Sequence, residues 1–236
     1  MNVSCIVPMT GSPGAHLWNP PVMDTAPTHL LLDFFGTVVD YSASRTVQGY
    51  ATTYRVLRRM GSVRGYDDTV AAWSTSFEHL DALTSHSNEE FSMRDVARAA
   101  LAVILDREPA QAEVDAGAEA YLADWNRSVV YPDDMLAILT DLRGLGAAGL
   151  VDVVVTSVDV GWRKPHPAIY AAALNALGVD ARDAVFVGDS YLAEYVGPER
   201  TEIRAFLIDP DRVAPVPEPR RIDTLADLAG RLRGLG

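Results

Sequence analysis

Lysine is almost absent from this chain. Of 20 basic residues among 236, Lys164 is the one lysine and all the others are arginine. A compositional bias explains the arginines but not the surviving lysine, because a compact ammonium and a planar guanidinium are not interchangeable. Cysteine is scarce too: Cys5 stands alone. That excludes an intrachain disulfide and any multi-cysteine zinc site, and it fits a reducing, cytoplasmic setting. Positive charge is outweighed by 32 acidic residues, for a net charge of −12. Such a surface repels phosphate backbones and argues against nucleic acid as a partner. No apolar run approaches the roughly 20 residues of a membrane-spanning helix, so no membrane partner is expected. The first 28 residues lack a basic start and a continuous apolar stretch, so they do not read as a signal peptide. They carry Gly11, Pro13, Gly14, Pro20, Pro21 and Pro27 and read as a flexible leader.

What is present alternates in character. Leu30–Asp33 is an apolar run ending in an acid, followed by Phe34, Phe35, Gly36 and Thr37, which predicts a buried strand breaking into a loop. From Ser42 to Arg127 the apolar spacing is helical, in four segments: Ser42–Met60, Asp67–Leu83, Phe91–Leu105 and Pro109–Trp125. Trp73, Phe77, Phe91 and Trp125 fall on these helices as packing residues. Beyond Tyr131 the pattern predicts a helix at Asp133–Leu142, strands at Val151–Val155, Ala184–Val187 and Arg204–Ile208, and helices at Pro167–Leu177 and Asp223–Leu232. Alternating strand and helix implies an α/β fold with a parallel sheet. The organisation expected is a leader over 1–28, a discontinuous α/β core over 29–40 and 129–236, and a helical insert over 41–128.

Three charged residues follow strands. Asp33 ends the first, Lys164 follows Val151–Val155 by a loop, and Asp189 follows Ala184–Val187. In an open parallel sheet ligands bind outside the carboxyl ends of the strands, so these side chains can converge. Two carboxylates there suit a hard divalent cation, and a lysine beside them suits a phosphate or an ionised aspartate.

These residues resemble the haloacid dehalogenase-like superfamily. Leu31-Leu32-Asp33-Phe34-Phe35-Gly36-Thr37 is similar to its first motif. Lys164-Pro165 with Pro167 and Tyr170 is similar to its third, and Val187-Gly188-Asp189-Ser190 with Glu194 to its fourth. The helical insert resembles the C1 cap of subfamily I. The resemblance covers residues 29–230 and implies a Rossmann-like core. It implies Asp33 as the nucleophile that forms an aspartyl-phosphate. It implies Mg²⁺ held by Asp33, the Phe35 carbonyl and Asp189, with Glu194 at the metal site or beside Lys164. It implies Lys164 as the stabilising cation and the backbone N–H groups of Phe34, Phe35 and Gly36 as a phosphate cradle. Arg45, early in the insert, is a candidate substrate contact. The implied activity is a Mg²⁺-dependent phosphatase acting on a small phosphorylated metabolite.

The chain departs from the family pattern twice. The family's phosphatases place an aspartate two residues after the nucleophile as general acid and base. Here Phe35 stands there and can do neither, a loss of about 10²–10⁴-fold. Acyl phosphates, phosphoanhydrides and halides need less help to leave. The family's phosphonatases use a cap lysine, and residues 42–127 contain none. The second departure is the absence of a strand ending in Ser or Thr, the second motif, between Leu145 and Val151. Val151–Val155 is expected to move beside the first strand, making Thr156 or Ser157 the replacement hydroxyl and leaving the sheet one strand short. Two alternatives are a strand at Leu136–Thr140 and a chain that lacks a segment there. The expected activity is therefore weak or specialised. Two other readings stay open: a catalytically silent protein that binds a ligand or partner, and a metal-independent carbon–halogen hydrolase like the 2-haloacid dehalogenases.

Overall fold

The computed structural model describes residues 3–8, 27–41, 49–144 and 151–233. Arg45 and the connection 145–150 lie outside the described residues. The chain divides into two compact units: Met1–Asp40 with Tyr131–Gly236, and Tyr41–Val130.

The first unit opens with β1 (Val3–Pro8), β2 (His29–Asp33) and β3 (Asp40–Tyr41), whose last residue already belongs to the second unit. The second unit holds α1 (Ala51–Arg59), α2 (Tyr66–Thr84), α3 (Met93–Leu105) and α4 (Gln111–Trp125), then β4 (Val129–Val130). The first unit resumes with α5 (Met135–Gly144), β5 (Val153–Thr156), α6 (Ser157–Val160) and α7 (Pro167–Leu177). It ends with β6 (Ala184–Gly188), α8 (Gly197–Glu199), β7 (Arg204–Ile208), β8 (Arg221–Ile222) and α9 (Leu228–Arg233).

Six strands form one sheet in the order β5-β1-β2-β6-β7-β8. The pairs β2–β6, β6–β7 and β7–β8 are parallel. Leu30, Leu31 and Leu32 are all fully buried, as a strand covered on both faces requires. Leu31, Phe186 and Ala205 share one core with Val155 and with Ile169, Tyr170 and Ala173 of α7. The parallel α/β core is thus as the apolar runs imply, and residues 135–144 are helical rather than a strand.

Two expectations fail at the sheet's other side. The stretch 1–28 is not wholly a leader, because Val3–Pro8 is a strand. Nor does the Val151–Val155 run move beside the first strand. β1 takes that place, antiparallel to both β2 and β5. Ser4 pairs with Asp33, and Val3 pairs with Thr156. The sheet is therefore completed by the chain's own N-terminal residues, and β5 is displaced to the edge.

The helical unit has its own core, in which Trp73 stacks on Tyr121 with ring centroids 5.0 Å apart. Phe77, Phe91 and Trp125 pack against this core as well. Its α1 lacks a side-chain cap of its own at Tyr50. The buried Asp124 of α4 supplies one, accepting from Thr52 N (3.0 Å), Thr53 N (2.8 Å) and Thr53 Oγ1 (2.8 Å). Burial alone pushes the Asp124 carboxyl up, but these hydrogen bonds outweigh it and hold it below its ordinary value. Asp124→Ala strands two helix-start N–H groups and should cost about 2–3 kcal/mol, read by thermal unfolding of the helical signal. A variant as stable as wild type contradicts this capping role.

Candidate active site

Asp33 is the last residue of β2, and Asp189 follows the last residue of β6, the neighbouring parallel strand. Both stand at the carboxyl end of the sheet, where the side chains of strand ends leave the ladder. Lys164 comes from the loop between α6 and α7, and its peptide bond to Pro165 is cis. Glu194 comes from a π-helical turn, Tyr191–Val196, after β6.

Lys164 is buried, a rare state for lysine unless paired. Its ammonium donates to Asp33 Oδ1 and to Glu194 Oε1, the latter at 2.8 Å. It also lies 5.4 Å from the centroid of the Phe186 ring. Glu194 Oε2 accepts from the backbone N–H groups of Asp189 (2.7 Å) and Ser190 (2.8 Å). Both oxygens of Glu194 are thus engaged. It fixes the lysine with one and the Asp189 loop with the other.

Two glycines make these approaches possible. Gly36 has φ +83°, and a Cβ there would collide with the Asp189 carboxylate. A Cβ on Gly188 would collide with Glu194. Gly36→Ala should therefore lower stability by about 1–3 kcal/mol through the backbone alone and push Asp189 away from Asp33. Thermal unfolding reads the first effect, and an unchanged midpoint contradicts it.

Oxygen atoms of Asp33, Asp189 and Glu194 lie within 4.8 Å of one another. Three carboxylates against one ammonium leave two negative charges in excess when all are ionised. The titration of the group reflects this. Burial raises the Asp33 carboxyl to about 7, Lys164 opposes the rise and Glu194 adds to it. Asp189 is exposed as a residue, but partial desolvation of its carboxyl among its neighbours, then Glu194, raises it to about 6. Burial pulls the Lys164 ammonium down, but Glu194 and Asp33 outweigh it and raise it overall. The folded protein keeps the Asp33 proton to about pH 7, whereas an exposed aspartate loses it near 3.8. In the absence of a divalent cation, stability should fall as pH rises across that window, by a few kcal/mol at most. Unfolding midpoints measured from pH 4 to 8 check the sign, and a midpoint that rises through that range contradicts it.

The other residues expected at the site are placed differently. β1 lies between β2 and β5, so the backbones of Asp33 and Thr156 are two strand spacings apart, roughly 10 Å. Thr156 is instead the N-cap of α6: its hydroxyl accepts from Asp159 N (3.2 Å) and donates to Asp159 Oδ2 (2.5 Å). Ser157 is buried as the first residue of α6. The Thr156 side chain thus does not stand in for the missing phosphate-binding hydroxyl. The expected cradle is also smaller. Gly36 N–H donates to Val39 O at 2.7 Å, which ties it into the loop. The Phe34 N–H serves the Asp33 carboxylate. Phe34 and Phe35 meet edge to face, with centroids 4.9 Å apart. Next to Lys164-Pro165, His166 caps α7: its Nδ1 accepts from Ala168 N (3.2 Å), and Trp162 stacks on its ring. The Phe186 ring beside the Lys164 ammonium is not distinguishable in the sequence from the other apolar residues of Ala184–Val187.

A model of the haloacid dehalogenase-like hydrolases matches residues 27–192. The chain belongs to that family. The match spans β2 through the Asp189 loop and therefore every residue of the cluster except Glu194. One relative is the human haloacid dehalogenase-like hydrolase domain-containing protein 3, 37% identical over 93 residues, which are 37% of this chain and 37% of that protein. The chain thus matches little more than a third of that relative's length. A second is the validoxylamine A 7'-phosphate phosphatase of Streptomyces hygroscopicus subsp. limoneus, 30% identical over 68% of this chain and 76% of that protein. Among solved structures, a 2-haloacid dehalogenase from Pseudomonas syringae pv. Tomato superposes with a TM-score of 0.58 at 21% identity, covering 88% of this chain and 99% of the other. At that identity the likeness speaks for the fold. Among the described residues no helix is long and apolar enough to cross a membrane.

Proposed function

We propose that this family member is a phosphohydrolase acting on a small phosphorylated molecule, with Asp33 as nucleophile. The observation that carries the reading is the cluster itself. Asp33 is bound to a buried lysine and lies within 4.8 Å of a second strand-end aspartate. A divalent cation held by the two aspartates would let a negatively charged phosphoryl group approach, a need that halide displacement does not have. The excess of two negative charges and the oxygen-only donor set fit Mg²⁺. Asp33, Asp189 and the Phe35 carbonyl would hold it. Glu194, with both oxygens engaged, acts as a positioning residue. Bound there, Mg²⁺ would supply charge neutralisation for the phosphoryl group.

The chain's own groups do the rest. Lys164 keeps Asp33 ionised as the cluster gains a cation and donates toward the transferred group. Asp33 attacks phosphorus, and the leaving group departs in line. In this reading the helical unit, residues 41–128, is a C1-type cap that selects the substrate, and the protein works in the cytoplasm.

The test is hydrolysis of p-nitrophenyl phosphate with and without Mg²⁺, beside halide release from a 2-haloacid. Mg²⁺-dependent phosphate release supports the reading, and metal-free halide release without phosphatase activity overturns it. A second readout needs no turnover. Mg²⁺ should raise the unfolding midpoint more at pH 8 than at pH 5, because its ligands must shed protons. Equal shifts at both pH values contradict a site made of these carboxylates.

A further inference from the structure

The two side chains that follow Asp33 carry no proton to give. Phe34 and Phe35 follow the nucleophile directly, their rings packed edge to face. Glu194 accepts hydrogen bonds at both oxygens, so both are committed within the protein. Tyr170 donates its hydroxyl proton to the Ala193 carbonyl. The Lys164 ammonium holds Asp33 and Glu194 with two of its three hydrogens. His166 uses Nδ1 to cap α7. Asp189 is the remaining carboxyl, and as a cation ligand it serves ionised.

We propose that the site takes phosphoryl donors whose leaving group needs no proton, namely acyl phosphates and phosphoanhydrides, and that Phe35 sets this restriction. The inference rests on the phosphohydrolase reading above. An alkoxide leaves about as reluctantly as hydroxide, the base of a very weak acid. A carboxylate leaves as the base of an acid with pKa about 4, and a phosphate as that of an acid near 6. Only the last two depart as stable anions at neutral pH.

In the first step Asp33 Oδ forms a bond to phosphorus. The bond from phosphorus to the leaving oxygen breaks, and the carboxylate or phosphate takes the electron pair unprotonated. In the second step water attacks the same phosphorus and the bond to Asp33 breaks. The carboxylate is restored, and the water's proton leaves with the phosphate product. With phenylalanine at position 35, that side chain takes no proton from water either, so the second step is the slow one and phosphorylated Asp33 accumulates.

Acetyl phosphate and glycerol phosphate are compared with Mg²⁺ present. For the wild type, kcat/KM for acetyl phosphate should exceed that for glycerol phosphate by about 10²-fold or more. Acetate should be released in a burst of about one equivalent per chain, with the matching mass increase on the protein. Phe35→Asp should raise glycerol phosphate hydrolysis by about 10²-fold and abolish the burst. The wild-type ratio and the burst do not depend on that variant folding. Wild-type rates within about tenfold of each other overturn the inference, as does the absence of a burst. If those similar rates vanish in Asp33→Asn, the nucleophile reading survives and only the leaving-group inference falls. If Asp33→Asn retains the wild-type rates, both fall.

Discussion

Asp33→Asn should lower turnover of an aryl phosphate by about 10⁴-fold or more and leave the fold intact. An amide oxygen is too poor a nucleophile to displace a leaving group from phosphorus, so the covalent route closes. Stability behaves differently. Burial, opposed by Lys164 and reinforced by Glu194, raises the Asp33 carboxyl to about 7. Asparagine removes one of those charges while keeping an oxygen for the Lys164 ammonium. At pH 8 the variant should melt at or above the wild-type temperature when no divalent cation is present. Loss of activity with lost structure would make Asp33 a structural residue. Wild-type turnover would remove it from the chemistry.

Lys164→Met should destabilise the α/β core by about 3–5 kcal/mol at pH 8. The ammonium is the cation that both Asp33 and Glu194 bond, and methionine leaves two buried carboxylates facing each other. The penalty should shrink as pH falls, because a protonated carboxyl no longer repels its neighbour. Arginine is no substitute, since a planar fork does not fit a site shaped to a point charge over the Phe186 ring. Denaturant midpoints at pH 5 and pH 8 measure the effect. A methionine variant as stable as wild type at pH 8 contradicts the account of this ion cluster.

Much of this site is readable from the chain because its parts fall at the ends of apolar runs. Leu30–Leu32 and Ala184–Val187 predict buried strands, and the parallel pairing of β2 with β6 brings Asp33 and Asp189 to the same edge. The single lysine marks itself by its rarity, and the structure buries it between two carboxylates. What escapes the sequence is long-range. Val3–Pro8 is a short apolar run separated from β2 by a Pro- and Gly-rich stretch, and nothing local says that it fills a place inside the sheet. That one strand moves β5 to the edge and takes Thr156 with it. The Thr156–Asp159 spacing is a readable helix-start signal, and it describes that hydroxyl better than a phosphate contact does. Gly36 shows the same limit: its glycine is readable as a turn, but the bond of its N–H to Val39 is a property of the closed loop.

The most direct measurement is the position of the phosphoryl group during turnover. The protein is mixed with acetyl phosphate and Mg²⁺, quenched in acid, digested, and analysed by mass spectrometry. About one phosphoryl group per chain is expected, carried by Asp33, and none in Asp33→Asn. A phosphoryl group on any other residue, or turnover in Asp33→Asn at the wild-type rate, contradicts it.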